Sequence, residues 1–322
     1  MVKLKDQDGK PIPMESFDKY LYQQEYKKLA KLGDRLAKAD KLVDWERFRP
    51  IVKDLFLNDT EKGGRPNVDE VVMVKLLVVQ QWYGLSDEET EREAIDRLSF
   101  RRFLGYPDTV PDSTTIWLFR ERLAKTGMDK LIWAELQRQL DEKGLRVRRG
   151  VAQDAGFITA DPGQSGKTRG DEASTRRSRD GDWAKRRGGS TFGYKVHVKA
   201  DLEHGLVRDV EATPASVHDS SVDLSEPGEV VYRDKGYFGV EPRGFDATMR
   251  RGVRGHPLGV WDRLRNSRIG SRRRPVERVF AVLKRVFWSG HVLVTTLGRV
   301  RVKMVFSCFC FNLLRLGSLR VA

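Results

Sequence analysis

Over roughly the first 144 residues, apolar side chains recur at helical spacing. From Phe17 the chain shows Tyr20, Leu21, Tyr26, Leu29, Leu32 and Leu36 among lysines and aspartates, then Trp45, Phe48, Ile51, Val52, Leu55 and Phe56. Such spacing predicts helices packed on one another. Residues 1–14 are charged and carry Gly9, Pro11 and Pro13, the composition of a mobile arm. After the break at Gly63-Gly64-Arg65-Pro66-Asn67, the stretch Val68 to Trp82 is apolar nearly all round and belongs in a core. Ser86 with Glu89 three residues on, and Asp112 before Ser113-Thr114-Thr115, are helix-start signals. A further helix is expected over Met128 to Lys143. Short capped helices of this kind suit a helix-turn-helix reader of DNA, and equally a scaffold or dimerisation surface.

From Leu145 the period changes to two. Leu145 to Ile158 reads as a strand, Tyr194 to Ala200 and Gly205 to Ala212 as two strands joined by a hairpin at Asp201 to Gly205. Residues 162–191 hold six glycines, eight basic and four acidic side chains and almost nothing apolar, which predicts a flexible insertion. A helix is expected after His218, with Asp219 read as its cap in preference to a metal ligand, and then a strand that ends at Asp234 within Glu229-Val-Val-Tyr-Arg-Asp-Lys-Gly-Tyr237. Strand, hairpin, strand, helix, strand is the order of a ribonuclease-H-like mixed sheet flanked by helices. The expected organisation is an arm (1–14), an all-α DNA-binding or dimerisation domain (15–144), and an α/β domain (145–322). Its last helix, from Arg299 to Leu316, closes over the sheet.

Charge adds a partner class. The chain carries 60 Lys+Arg against 46 Asp+Glu, a net +14, and residues 242–322 alone hold 18 basic and 3 acidic side chains. A basic pole of that kind points to a polyanion, nucleic acid first. Cys308 and Cys310 stand one residue apart, a spacing that suits neither a disulfide nor a zinc clamp on a helix and fits a reducing cytoplasm. The longest apolar run, Met304 to Leu314, is too short to span a bilayer.

Candidate chemistry rests on three acids. Asp154 and Asp234 fall on two strands expected to be neighbours, and open α/β sheets put their sites at the carboxyl edges of strands. Pro275 suits a first helical position, after which Val276, Phe280, Leu283 and Phe287 form a stripe for the sheet, with Glu277 and Lys284 sharing a face off that stripe. Taken singly, Asp154 is also a surface turn residue, Asp234 a helix cap and Glu277 a first-turn acid. Together they make a site for magnesium, or manganese in its place, since hard cations prefer oxygen ligands. Two such ions about 3.5–4 Å apart activate a water or a 3′-hydroxyl for phosphodiester cleavage. Arg273 and Lys284 would neutralise phosphate beside them. Arg250, Arg251, Arg254, Arg263, Arg265, Arg268, Arg272 and Arg274, spaced by glycines, read as a track for the DNA backbone. Lys235 and, in the insertion, Arg176, Arg177, Arg186 and Arg187 are further candidates for DNA contact.

The stretches Leu29-Ala-Lys-Leu-Gly-Asp-Arg-Leu36, Leu42-Val-Asp-Trp-Glu-Arg-Phe-Arg-Pro50, Asp112-Ser-Thr-Thr115, Tyr232-Arg-Asp-Lys-Gly-Tyr237 and Arg274-Pro-Val-Glu-Arg-Val-Phe280 resemble a bacterial DDE transposase of the insertion sequence 5 family. The resemblance implies a helical domain that binds the element's terminal repeats, a ribonuclease-H-like catalytic domain, and magnesium-dependent strand cleavage and transfer into target DNA. It further implies a homodimer or higher oligomer on double-stranded DNA in the bacterial cytoplasm, at the nucleoid. The family pattern around the third acid places its arginine, glutamate and lysine on Arg273, Glu277 and Lys284, while its tyrosine is replaced by Gly270. Trp261, Trp288 and Trp183 are the aromatics available to substitute. Two other readings stand beside this one: a nuclease that cuts without joining, and a transposase-derived repressor that binds DNA without catalysis.

Overall fold

The computed structural model describes residues 17–55, 67–163, 180–186 and 188–319. The arm at residues 1–14, the break at 63–66 and the arginines 176, 177 and 187 lie outside them.

Among the described residues, eight α-helices precede the first strand: α1 (Phe17–Leu32), α2 (Arg35–Asp40), α3 (Arg49–Val52), α4 (Glu70–Tyr83), α5 (Asp87–Asp96), α6 (Leu98–Phe103), α7 (Ser113–Thr126) and α8 (Met128–Glu142). Their ends follow local chemistry. Asp69 accepts from the Val71 and Val72 amides to start α4, and Gly84 ends it in the left-handed region at φ 68°. Ser86 caps α5 and Asp112 caps α7, each accepting from an amide three residues on. The apolar run places α4 at the centre of this layer, with Met73, Val74, Leu76, Val78 and Val79 fully buried.

The strands are β1 (Val151–Ala160), β2 (Asp182–Arg186), β3 (Gly189–Asp201), β4 (Val207–Pro214), β5 (Val230–Arg233), β6 (Phe245–Thr248) and β7 (His291–Val292), in a mixed sheet of order β2-β3-β1-β5-β6. The hairpin between β3 and β4 turns on Asp201, whose carboxylate accepts from the amides of Glu203 and His204. Helix α9 (Val260–Arg285) lies on β1, β3 and β5, and α10 (Leu297–Leu316) packs on β4, α4, α7, α8 and α9. One contiguous apolar core runs from Leu36 to Leu316. Cys308 and Cys310 are buried and free within α10. Among the described residues, no helix is long and apolar enough to cross a membrane.

Four expectations are corrected. Residues 182–186, read as part of the flexible insertion, form β2, because β3 supplies a pairing edge that local composition does not reveal. No α-helix follows His218: only a 3₁₀ turn forms over Asp219–Ser221, and His218 caps it in place of Asp219. Pro275 is not a first helical position but lies inside α9. The strand read over Leu145 to Ile158 starts only at Val151, as β1, and runs on to Ala160.

Candidate active site

β1 and β5 run parallel, with Val151 beside Val231 and Ala152 beside Tyr232. Carrying that register forward brings Asp154 alongside Asp234 just past the end of β5. Burial pushes the Asp154 carboxyl up from the usual 3.8 to about 6, against the opposing pull of Arg273 and the Ala155 amide, and Asp234 and Asp219 push it further upward. Asp219 and Asp234 thus both act on Asp154 at this sheet edge. Asp234 also caps the 3₁₀ turn Lys235–Tyr237, accepting from the Gly236 amide at 2.7 Å. A Cβ at Gly236 would stand 3.0 Å from that carboxylate oxygen, so glycine permits the approach. Asp219 is held by Lys195, whose Nζ lies 2.7 Å from Oδ1.

The face of α9 turned to β1 is set by Arg273 and Phe280. The Arg273 guanidinium donates to Asp154 Oδ2 at 2.6 Å and is 7% exposed. The Phe280 ring covers Gly156, where a Cβ would come within 2.6 Å of ring carbons. Glu277, one turn beyond Arg273, falls between these two contacts along the helix and is exposed, as is Lys284. Among the described residues, no three His, Cys, Asp and Glu side chains are close enough together to hold a metal ion. The donor chemistry nevertheless fits a divalent cation, because the three carboxylates Asp154, Asp219 and Asp234 outnumber the two cations paired with them, Arg273 and Lys195.

Close packing at Gly156 makes a direct prediction. Gly156→Ala should cost about 1–3 kcal/mol by overpacking β1 against α9. Adding Phe280→Leu should recover most of that loss in urea titrations. Equal losses in the single and double variants would show that the ring is not the obstacle.

Of the other candidates, Lys235, Arg250, Arg251, Arg254, Arg263, Arg268, Arg272 and Arg274 are exposed. Arg250 pairs with Asp262 at 2.9 Å, and Arg265 donates to the Thr248 carbonyl at 2.5 Å. Arg186 ends β2. Arg265, Arg268 and Arg272 line a cavity of about 700 Å³ with Tyr232, Ala247 and Trp261. Trp261 is 83% exposed and Trp288 67%, so neither is a core aromatic. Trp183 stacks edge-on against Phe192. Two site neighbours were not assigned from sequence. Asp219 read locally as a cap, and Tyr237 carries no charge pattern of its own.

Two family models match the chain. A model described as a transposase DDE domain matches residues 145–313, and one described as a transposase domain (DUF772) matches residues 24–122. No solved structure matches the chain. With just over half its length matched by the first of these models, the chain belongs to the DDE transposase family.

Proposed function

We propose that this protein is a transposase of the insertion sequence 5 family, which cuts phosphodiester bonds at the ends of its own element and joins the freed 3′-hydroxyl to target DNA. The observation that carries the reading is Asp154 on β1 and Asp234 just past the end of its parallel neighbour β5, in a member of the DDE transposase family. In this reading residues 145–322 are a ribonuclease-H-like catalytic domain. Residues 15–144 bind the terminal repeats and support a dimer or larger assembly.

Asp154, Asp234 and Glu277 would hold magnesium, with manganese as a substitute. A divalent ion there supplies an activated oxygen nucleophile and charge neutralisation at the leaving oxygen. The chain's own contribution is positioning. Arg273 fixes the Asp154 carboxylate through a charge-assisted hydrogen bond. Lys235, Lys284 and the arginines of α9 and the preceding loop would grip phosphates without reading sequence, which makes binding strongly salt-dependent.

The test is a cleavage and strand-transfer assay on DNA bearing the element's ends, with Mg²⁺ or Mn²⁺. Cuts at the ends together with joined products are expected. Cuts without joining would identify a nuclease, and binding without cuts a repressor; either overturns the transposase reading.

A further inference from the structure

A cavity of about 500 Å³ lies between the helical layer and the sheet, walled by Leu77 of α4, Leu85 ahead of α5, and Val302 and Phe306 of α10. Trp288, just before β7, and His291 within it also line the cavity. β7 pairs with Thr159 and Ala160 at the far end of β1. The five residues from Asp154 to Thr159, at ~3.3 Å each, set this end roughly 17 Å from the first acid.

Two cations in the wall differ in their company. Arg120 is neutralised, since its guanidinium donates to both Asp87 carboxylate oxygens at 2.7 and 2.8 Å. Asp87 accepts from Gln80 as well, at 2.7 Å. Lys303, in the second turn of α10, has no such partner. Among the described residues no carboxylate pairs with it, and the charge that acts on it is that of Arg120, which joins burial in pushing its ammonium down. Glu88, the other acid of the wall, is exposed. A cation held beside apolar walls without a counter-ion opposes folding, and buried charges in folded proteins are as a rule paired.

The mouth is also held at a cost. Trp288 adopts the left-handed region at φ 52°, which bulky side chains avoid. Its indole lies so close over Gly84 that a Cβ there would stand 2.6 Å from Cδ1. Yet the ring stays 67% exposed, and Leu293 at the same cavity 84%. Burial therefore does not offset the strain, and an apolar rim is left open to solvent.

Volume and chemistry together define an occupant. A bare inorganic ion would leave most of the cavity empty. Spaces of this size with mostly apolar walls and a few placed polar groups suit small organic molecules. We propose that this junction binds a small organic anion, a carboxylate with a flat apolar body, whose charge pairs with Lys303 and whose body packs on Phe306 and Trp288. Touching α4 and α10 at once, it clamps the helical layer to the sheet.

The probe is 1-naphthoate, titrated by calorimetry into the full chain, with 1-naphthamide as the same body without charge and acetate as the charge without the body. 1-Naphthoate should saturate one site at least about 10-fold more tightly than 1-naphthamide, with no measurable binding of acetate. At about 100 times its Kd it should raise the thermal midpoint by about 4 °C. Lys303→Met should bring the two naphthalenes to equal affinity while the ligand-free midpoint holds or rises, and Lys303→Arg should keep the preference. Trp288→Gly removes the ring and relieves the backbone, so both naphthalenes should weaken about equally. An unchanged preference for 1-naphthoate in Lys303→Met would overturn the proposal, as would the absence of saturable binding in the parent. Displacement of 1-naphthoate by a short DNA duplex would assign the cavity to DNA and overturn it too. None of these readouts depends on strand cleavage, so the reading of the acids as an active site stands or falls separately.

Discussion

Asp234→Asn is expected to reduce strand cleavage by about 10³-fold or more, about 4 kcal/mol of barrier, while DNA affinity stays close to that of the parent. Asp154→Asn and Glu277→Gln should do the same if all three acids hold the metal. The substitutions are nearly isosteric and remove charge where it is crowded, so lost activity can be told apart from lost structure. Asp154 makes this clearest. Its folded pKa of about 6 lies above the unfolded value of 3.8. In the metal-free protein the ionised carboxylate therefore opposes folding above pH 6, the opposition shrinks between pH 6 and 3.8, and it is gone below that. Asparagine removes the penalty at neutral pH, offset by the loss of Arg273's partner, so the variant should melt at or above the parent's temperature. The measurement is a pair of numbers per variant, a single-turnover rate with Mg²⁺ and a thermal midpoint without it. Full activity in Asp234→Asn would remove Asp234 from the site. Full activity in Glu277→Gln alone would leave the two aspartates and turn attention to Asp219, which already acts electrostatically on Asp154.

What was legible in the sequence was what short-range chemistry decides. Ser86 and Asp112 cap helices, Asp201 turns a hairpin, the strand leading to Asp234 lies where its apolar run puts it, and the strand carrying Asp154 is found but begins at Val151 and not at Leu145. The misreadings share one cause, which is that distant contacts outweighed local preference. Pro275 reads as a helix start because proline removes an amide and crowds the carbonyl four residues back, at a cost of about 3 kcal/mol inside a helix. Yet α9 begins at Val260. Its first half is held in place from outside, by Asn266 exchanging two hydrogen bonds with the Arg250 backbone and by burial of Ile269. That early start carries Arg273 within the helix and onto Asp154, a direction unreadable from Arg272-Arg273-Arg274. β2 was hidden for the same reason, since Asp182 to Arg186 has a loop's composition and becomes a strand only against β3. Asp219 follows the same rule. Its partner, Lys195, comes from β3, and the cap position falls to His218.

The second large effect concerns how the helical layer is tied to the sheet. Asp129, fully buried in the first turn of α8, accepts from Arg301 Nε at 2.8 Å and from a terminal guanidinium nitrogen at 2.9 Å. Glu121 on α7 accepts two bonds from Arg299 in the same way, at 2.5 and 2.8 Å. Both arginines sit in the first turns of α10, whose length also packs on β4 and α9. Asp129→Ala would leave the Arg301 charge partly buried with no carboxylate, and breaking a pair of this kind costs about 3–5 kcal/mol. Because one apolar core spans helices and sheet, the loss should lower a single urea transition without changing its slope. A biphasic curve would instead mean that the helical layer unfolds by itself. The double variant Asp129→Ala/Arg301→Met should recover most of the loss, since replacing both charges by apolar groups relieves the desolvation that the pair only offsets. If Asp129→Ala cost less than about 1 kcal/mol, the pair would behave as a solvent-screened surface bridge. The coupling between α8 and α10 would then rest on the apolar core that both helices enter.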